Sequence, residues 1–183
     1  MSEELQTHRT FVICSETDRP YAEKLVLLLG GDMISIHFYK DAEAKDGHEF
    51  IEKFVSEQLS GIDDVMVLIG PETWKKRLVD LQLYATLGYR NENGSPLGIV
   101  GILLPSRPDF GQGHVVKGTI PPRVYDNWKS GKGLIKLFSW KNNPVYFKKV
   151  IELTDKRKGS IPEDNSRPVL AKNRGKEAKT WVK

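Results

Sequence analysis

Val65-Met66-Val67-Leu68-Ile69 is an unbroken apolar run, closed by the turn sequence Gly70-Pro71-Glu72-Thr73, and its reading decides the fold. A strand with one wet face alternates apolar and polar residues. A run with no polar member is covered on both faces, as in a parallel sheet with helices on either side. Leu97 to Leu104, LGIVGILL, has the same two-sided character. Upstream, Thr10-Phe11-Val12-Ile13-Cys14 is a short β-rich run and Ile34-Ser35-Ile36-His37-Phe38 alternates as a strand.

Between the strands the period changes to that of a helix. Tyr21, Ala22, Leu25, Val26, Leu28 and Leu29 recur at three- and four-residue steps until Gly30-Gly31 stops them. Phe50, Ile51, Phe54, Val55 and Leu59 make a second helical face, and a third helix is expected from about Trp74 to Leu87. Gly133 to Trp140 reads as a last strand, and Val145 to Thr154 as a closing helix with Phe147, Val150, Ile151 and Thr154 inward. This alternation predicts an α/β fold: an open, mainly parallel sheet of about five strands with helices on both faces. Ligands in such folds bind beyond the carboxyl ends of the strands, which singles out the loops 14–18, 39–48, 70–75 and 105–122. The last of these is Gly/Pro-rich and too long for a simple connection, so it is expected to be functional or disordered.

The chain has 183 residues, 28 Lys+Arg against 24 Asp+Glu, and one cysteine, Cys14. That length suits one domain with an appendage, and a lone cysteine makes neither an intrachain disulfide nor a thiolate metal site, so a cytoplasmic protein is expected. The opening MSEELQTHRT is polar, and the apolar stretch near 97–104 is far shorter than the roughly 20 residues of a membrane span; neither secretion nor membrane insertion is indicated. The expected division is an N-terminal extension (1–9), a folded domain (10–155) and a basic C-terminal tail (156–183). The tail holds nine Lys/Arg against Glu163, Asp164 and Glu177, a balance of +6, while the rest of the chain carries −2. Such a tail can contact nucleic acid or an acidic partner, but the preferred reading is a solvated, poorly ordered end.

Two phosphate-binding patterns fail. Ser130-Gly131-Lys132-Gly133 has Asp126 where a Walker loop needs its first glycine, and Gly133 where it needs Ser or Thr. Gly111-Gln112-Gly113 lacks the third glycine of a dinucleotide fingerprint, since position 116 is Val. His8, His37, His48 and His114 have no ligand spacing, so no metal is expected. Cys14 at a strand end is a conceivable nucleophile, though small buried cysteines are far commoner.

The segment Val67-Leu-Ile-Gly-Pro-Glu-Thr-Trp-Lys-Lys-Arg-Leu-Val-Asp-Leu-Gln-Leu83 resembles the signature of a TIR-like family first grouped around a methanogen protein, whose close bacterial relatives include the TIR proteins of the Thoeris antiphage system. Phe11-Val12, Leu97 to Pro105 and Ile120-Pro-Pro-Arg-Val-Tyr-Asp-Asn127 also match, so the resemblance covers residues 10 to about 150, with 67–83 its most specific part. It implies a flavodoxin-like three-layer sandwich. It also implies an immune signalling enzyme that cleaves the nicotinamide bond of NAD, with no bound cofactor, and makes a cyclic or conjugated ADP-ribose messenger for a separate effector. Self-association or contact with other TIR domains belongs to the same implication. The mobile loop that gates the pocket in that family corresponds here to Lys40–Gly47.

The family's catalytic glutamate falls at Gln82 and its preceding tryptophan at Leu81, and both are departures. Cleaving the glycosidic bond builds positive charge on the ribose, which a nearby carboxylate stabilises. An amide keeps the shape without the charge, and losing a term of this kind costs roughly 100-fold or more in rate. Gln82 is therefore an engineered inactivating substitution, the mark of a natural pseudoenzyme, or a sign that another acid, Asp80, Glu72 or Asp46, carries the charge. Among substrate-binding candidates, Cys14, Ser15 and Asp18 follow the first strand, Ser15 and Asp18 having helix capping as the alternative. Trp74 could stack on adenine or nicotinamide or simply pack; Tyr39 and Asp46 flank or sit in the charged loop. A noncatalytic TIR-like assembly module is the competing reading.

Overall fold

The computed structural model describes residues 8–182; most of the expected N-terminal extension (residues 1–7) and the last residue of the tail lie outside them. Five strands form one sheet: β1 (Thr10–Ile13), β2 (Ile34–Ile36), β3 (Asp64–Ile69), β4 (Gly98–Leu103) and β5 (Lys136–Ser139). Their order is β2-β1-β3-β4-β5, and every neighbouring pair is parallel. This is the expected flavodoxin-like α/β layout. The two runs without a polar alternation, β3 and β4, lie at or next to the centre of the sheet, where helices cover both faces.

The helices are α1 (Arg19–Leu29), α2 (Gly47–Phe54, continued by a wide turn at Val55–Leu59), α3 (Arg77–Gly88), α4 (Pro122–Trp128) and α5 (Pro144–Asp155). Strand side chains point alternately to opposite faces, and the core divides accordingly. Phe11, Ile13, Val65, Val67 and Ile69 pack with Phe50, Phe54, Leu81 and Val124, placing α2, α3 and α4 on one face. Val12, Met66, Leu68, Val100 and Ile102 pack with Ala22, Leu25, Phe147 and Ile151, placing α1 and α5 on the other. None of the helices described is long and apolar enough to cross a membrane.

Three local expectations shift. The third helix starts at Arg77, because Thr73–Lys75 forms a tight 3-10 turn first. The segment 105–122 is ordered: Arg107, 4 % exposed, pairs with Asp109 at 2.8 Å and donates to the Gly70 and Thr119 carbonyls. The loop leads into α4, which sequence periodicity did not announce.

The tail departs furthest from expectation. Residues 161–182 contain no helix or strand, yet they run as a strap across α3 and α4. Arg167 grips Asp126 with two bonds of 2.6 and 2.8 Å, Asn165 accepts from Arg123 at 2.8 Å, and Asn127 exchanges a pair of 2.8 Å bonds with the Asp164 backbone. Further on, the Arg174 guanidinium donates to the Trp74 carbonyl at 2.8 Å, and the Trp181 indole donates to the Ile120 carbonyl at 2.7 Å. Trp181 also packs edge-on against Tyr125, and a Cβ at Gly118 would fall 1.8 Å from Thr180 Oγ1. The solvated reading fails because composition counts charges but not partners: the tail's polar groups meet the unpaired carbonyls and acids that the α3–α4 seam presents.

Candidate functional site

Beyond the carboxyl ends of β1 and β2, against the first turns of α3, lies a cavity of about 220 Å³. The loop after β1 contributes Cys14, Ser15 and Glu16; the segment after β2 contributes His37 to Asp41; α3 and its lead-in contribute Lys76, Leu78, Val79 and Gln82, and α1 adds Arg19. Four of the seven residues singled out from sequence, Cys14, Ser15, Tyr39 and Gln82, therefore line one space. Gln82 is 4 % exposed, and its amide has no hydrogen-bond partner among the described residues, so it is available to a ligand.

Tyr39 closes one side. Its ring sits edge-on to Phe50 at 4.9 Å and against His37 at 4.3 Å, and its buried hydroxyl lacks a partner among the described residues. Burial, reinforced by Glu57 and Glu43, pushes the phenol up to about 12, so it is a neutral donor at physiological pH. Cys14 forms the floor. Burial first, and then the Asp18 carboxylate, push its thiol up to about 12, which removes the thiolate a nucleophile needs.

Asp18, Trp74 and Asp46 stand elsewhere. Asp18 is buried and accepts the hydroxyls of Ser15 at 2.5 Å and Thr73 at 2.8 Å, tying the loop after β1 to the turn after β3. A Cβ at Gly70 would fall 2.1 Å from its Oδ1, so this close approach requires glycine there. Burial raises the Asp18 pKa, and the two hydroxyls oppose that rise. Trp74 is 2 % exposed; its indole donates to the Pro71 carbonyl at 2.9 Å, and it borders a separate groove of about 510 Å³ between the 70–75 turn and Arg107, His114 and Lys179. Asp46 caps α2, accepting from the backbone of His48 at 2.9 Å and Glu49 at 3.1 Å; those bonds, the Glu49 one foremost, hold its carboxyl below the usual range.

The other acids weighed as substitutes for a catalytic glutamate are committed as well. Asp80 is clasped by Arg123, whose Nε lies 3.0 Å from Oδ1, and accepts the Leu170 backbone N–H at 2.7 Å. Glu72 pairs with Lys75 at 2.9 Å. The carboxylates on the cavity wall are instead Glu16 and Asp41. Sequence reasoning flagged their loops but had no signal to pick them, or Arg19, Lys40 and Lys76, from other loop charges. At the opposite, amino-terminal end of the sheet the fold gathers His8, Asp64 and Asp155, whose ligating atoms lie within 4.8 Å of one another and could hold a metal ion.

The family model described as the Thoeris protein ThsB, TIR-like domain, matches residues 11–109, more than half of the chain and all of the cavity wall. No curated protein matches it.

Proposed function

The chain belongs to the ThsB TIR-like family of Thoeris antiphage defence, and on that premise we propose that it is an NAD-processing signalling protein whose reaction centre is the cavity at Gln82, disabled by that residue. The observation that carries the reading is the Gln82 amide, without a hydrogen-bond partner among the described residues, on the wall of a cavity at the carboxyl ends of the strands that Ser15 and Tyr39 also line. At about 220 Å³ the cavity is smaller than the roughly 300–1,000 Å³ of whole-ligand pockets, which suits the nicotinamide riboside end of NAD with the rest of the dinucleotide leading out past the charged loops.

As the bond to nicotinamide lengthens, the ribose gains positive charge and the departing ring takes the bonding electrons. A carboxylate at position 82 would meet that charge; the amide leaves it unmet. Arg19, Lys40 and Lys76, at the rim, are suited to the diphosphate. Release of an ADP-ribose messenger to a separate effector, and assembly with further TIR domains, complete the proposal. A noncatalytic assembly module is the second reading, favoured by Gln82 together with Leu81, which is 0 % exposed and serves the core rather than the cavity.

The test is nicotinamide release from NAD by the chain as it stands and by Gln82→Glu, followed by chromatography with an infection-derived trigger included. We expect release from Gln82→Glu at a rate roughly 100-fold or more above the parent. If neither protein releases nicotinamide under triggering conditions, the assembly-module reading takes its place.

A further inference from the structure

We propose that the amino-terminal end of the sheet is a divalent-cation site of zinc class, built from His8, Asp64 and Asp155. The three residues come from the entry to β1, the first position of β3 and the end of α5. His8 Nδ1 lies 3.8 Å from Asp64 Oδ2 and 3.9 Å from Asp155 Oδ1. Metal bonds of about 2.0–2.2 Å at tetrahedral angles set ligand atoms roughly 3.4 Å apart, so the two His8 contacts would close by about half an ångström each, and the Asp64–Asp155 pair, within 4.8 Å, by up to about 1.4 Å.

Asp64 is a buried carboxylate: its side chain is 0 % exposed, and neither oxygen has a hydrogen-bond partner among the described residues. Buried carboxylates are otherwise paired or hydrogen-bonded, because an isolated charge in an apolar setting is costly. Thr10 stands directly across from Asp64 in the parallel register, on the same face of the sheet; it too is fully buried, with its hydroxyl unpartnered. On the other side Asp64 pairs with Gly98, where a Cβ would fall 2.0 Å from Asp64 Oδ1, so the carboxylate occupies space that any other residue at 98 would fill.

Lys158 supplies one cation through its ion pair with Asp155, and although its charge also acts on Asp64 it makes no ion pair or hydrogen bond with that carboxylate. One imidazole nitrogen and two carboxylate oxygens are a zinc-type donor set, with a fourth position left for the Thr10 hydroxyl or water. The site lies at the end of the sheet away from the Gln82 cavity, so its role is structural: it would pin the start of the domain to its last helix, and binding would stabilise the fold by mass action.

The experiment uses the untagged full chain, stripped with a chelator, titrated with zinc chloride by calorimetry and followed by thermal unfolding, with magnesium and calcium chloride in parallel. The expected result is one zinc per chain with a raised Tm, preferred over magnesium and calcium. Asp64→Asn, which keeps the shape, and His8→Ala, a partly exposed position at the edge of the fold, should each weaken zinc binding roughly tenfold or more. Lys158→Met, which removes the internal competitor for Asp155, should strengthen it. No zinc binding by the parent, undiminished binding in His8→Ala, or a preference for magnesium or calcium would overturn the proposal.

Discussion

The two flanks of α3 treat polar groups in opposite ways. On the seam toward α4 and the strap, Asp80 carries a full negative charge and every part of it is answered: Arg123, itself 0 % exposed, clasps both oxygens, and the Leu170 N–H adds a third bond. Arg123 is in turn saturated by Asn165 and the Arg167 carbonyl. Two residues further along, on the cavity flank, Gln82 is buried to nearly the same degree, carries no charge and is met by no partner among the described residues. The Asp80 charge is matched on every side and so belongs to the architecture, whereas the Gln82 amide lies on the wall of a cavity, where a ligand can reach it.

Ending the chain after Lys158 should have the largest effect, because it removes the Leu170 N–H from Asp80, Asn165 and the strap carbonyls from Arg123, and Arg167 from Asp126 at once. The expected outcome is loss of soluble protein on expression, which sets the strap among the elements of the domain; undiminished yield would break the comparison at its seam side.

Next in size is Arg123→Ala, which leaves Asp80 buried without its counter-charge. Removing one partner of a buried pair costs about 3–5 kcal/mol, read as a lowered urea midpoint. Replacing both partners, as in Asp80→Leu with Arg123→Met, should recover much of that loss, since the penalty belongs to the orphaned charge and not to the missing attraction.

Gln82→Glu transfers the problem to the other flank. A carboxylate at a position 4 % exposed and lacking a partner should destabilise by about 1–3 kcal/mol at neutral pH. The sign with pH follows from desolvation, which raises the folded-state pKa of an acid above its unfolded value near 4.3. The folded protein then binds the extra proton more readily, so the penalty is full above the raised pKa and fades as pH falls toward the unfolded value. Urea unfolding of parent and variant at pH 5 and pH 8 should show a smaller gap at pH 5. An equal gap at both values would mean that the new carboxylate has found a cation, Arg19, Lys40 and Lys76 being those on the cavity wall.

How far the sequence foretold this arrangement depends on the kind of signal each part carries. β3 and β4 were legible because an apolar run without alternation has few other uses in a short strand. α4 was not: it is two turns long, and what it buries includes Arg123 and Asn127 beside Val124, so no apolar stripe announces it. Gln82 stood out only because a motif numbered the position, and Cys14, Ser15 and Tyr39 because they follow strand ends. The strap and the His8, Asp64 and Asp155 cluster were invisible, since both depend on long-range pairing that local periodicity does not encode.

The smallest expected effect separates two acids of one loop. Asp41 lines the cavity and also accepts the Asn173 side-chain amide at 2.9 Å, whereas Asp46 turns its carboxylate to the backbone N–H groups that open α2. Placed in the Gln82→Glu background, Asp46→Ala should leave the rate of nicotinamide release unchanged within error, its loss confined to the first turn of a helix whose face toward the core is fixed by Phe50 and Phe54. Asp41→Ala should change that rate, because it alters both the cavity wall and the strap's hold on the loop. If Asp46→Ala proves the more damaging of the two, then the loop works by the position of its helix cap rather than by the charge it presents to the cavity, and the cavity flank of α3 owes its polarity to α3 alone.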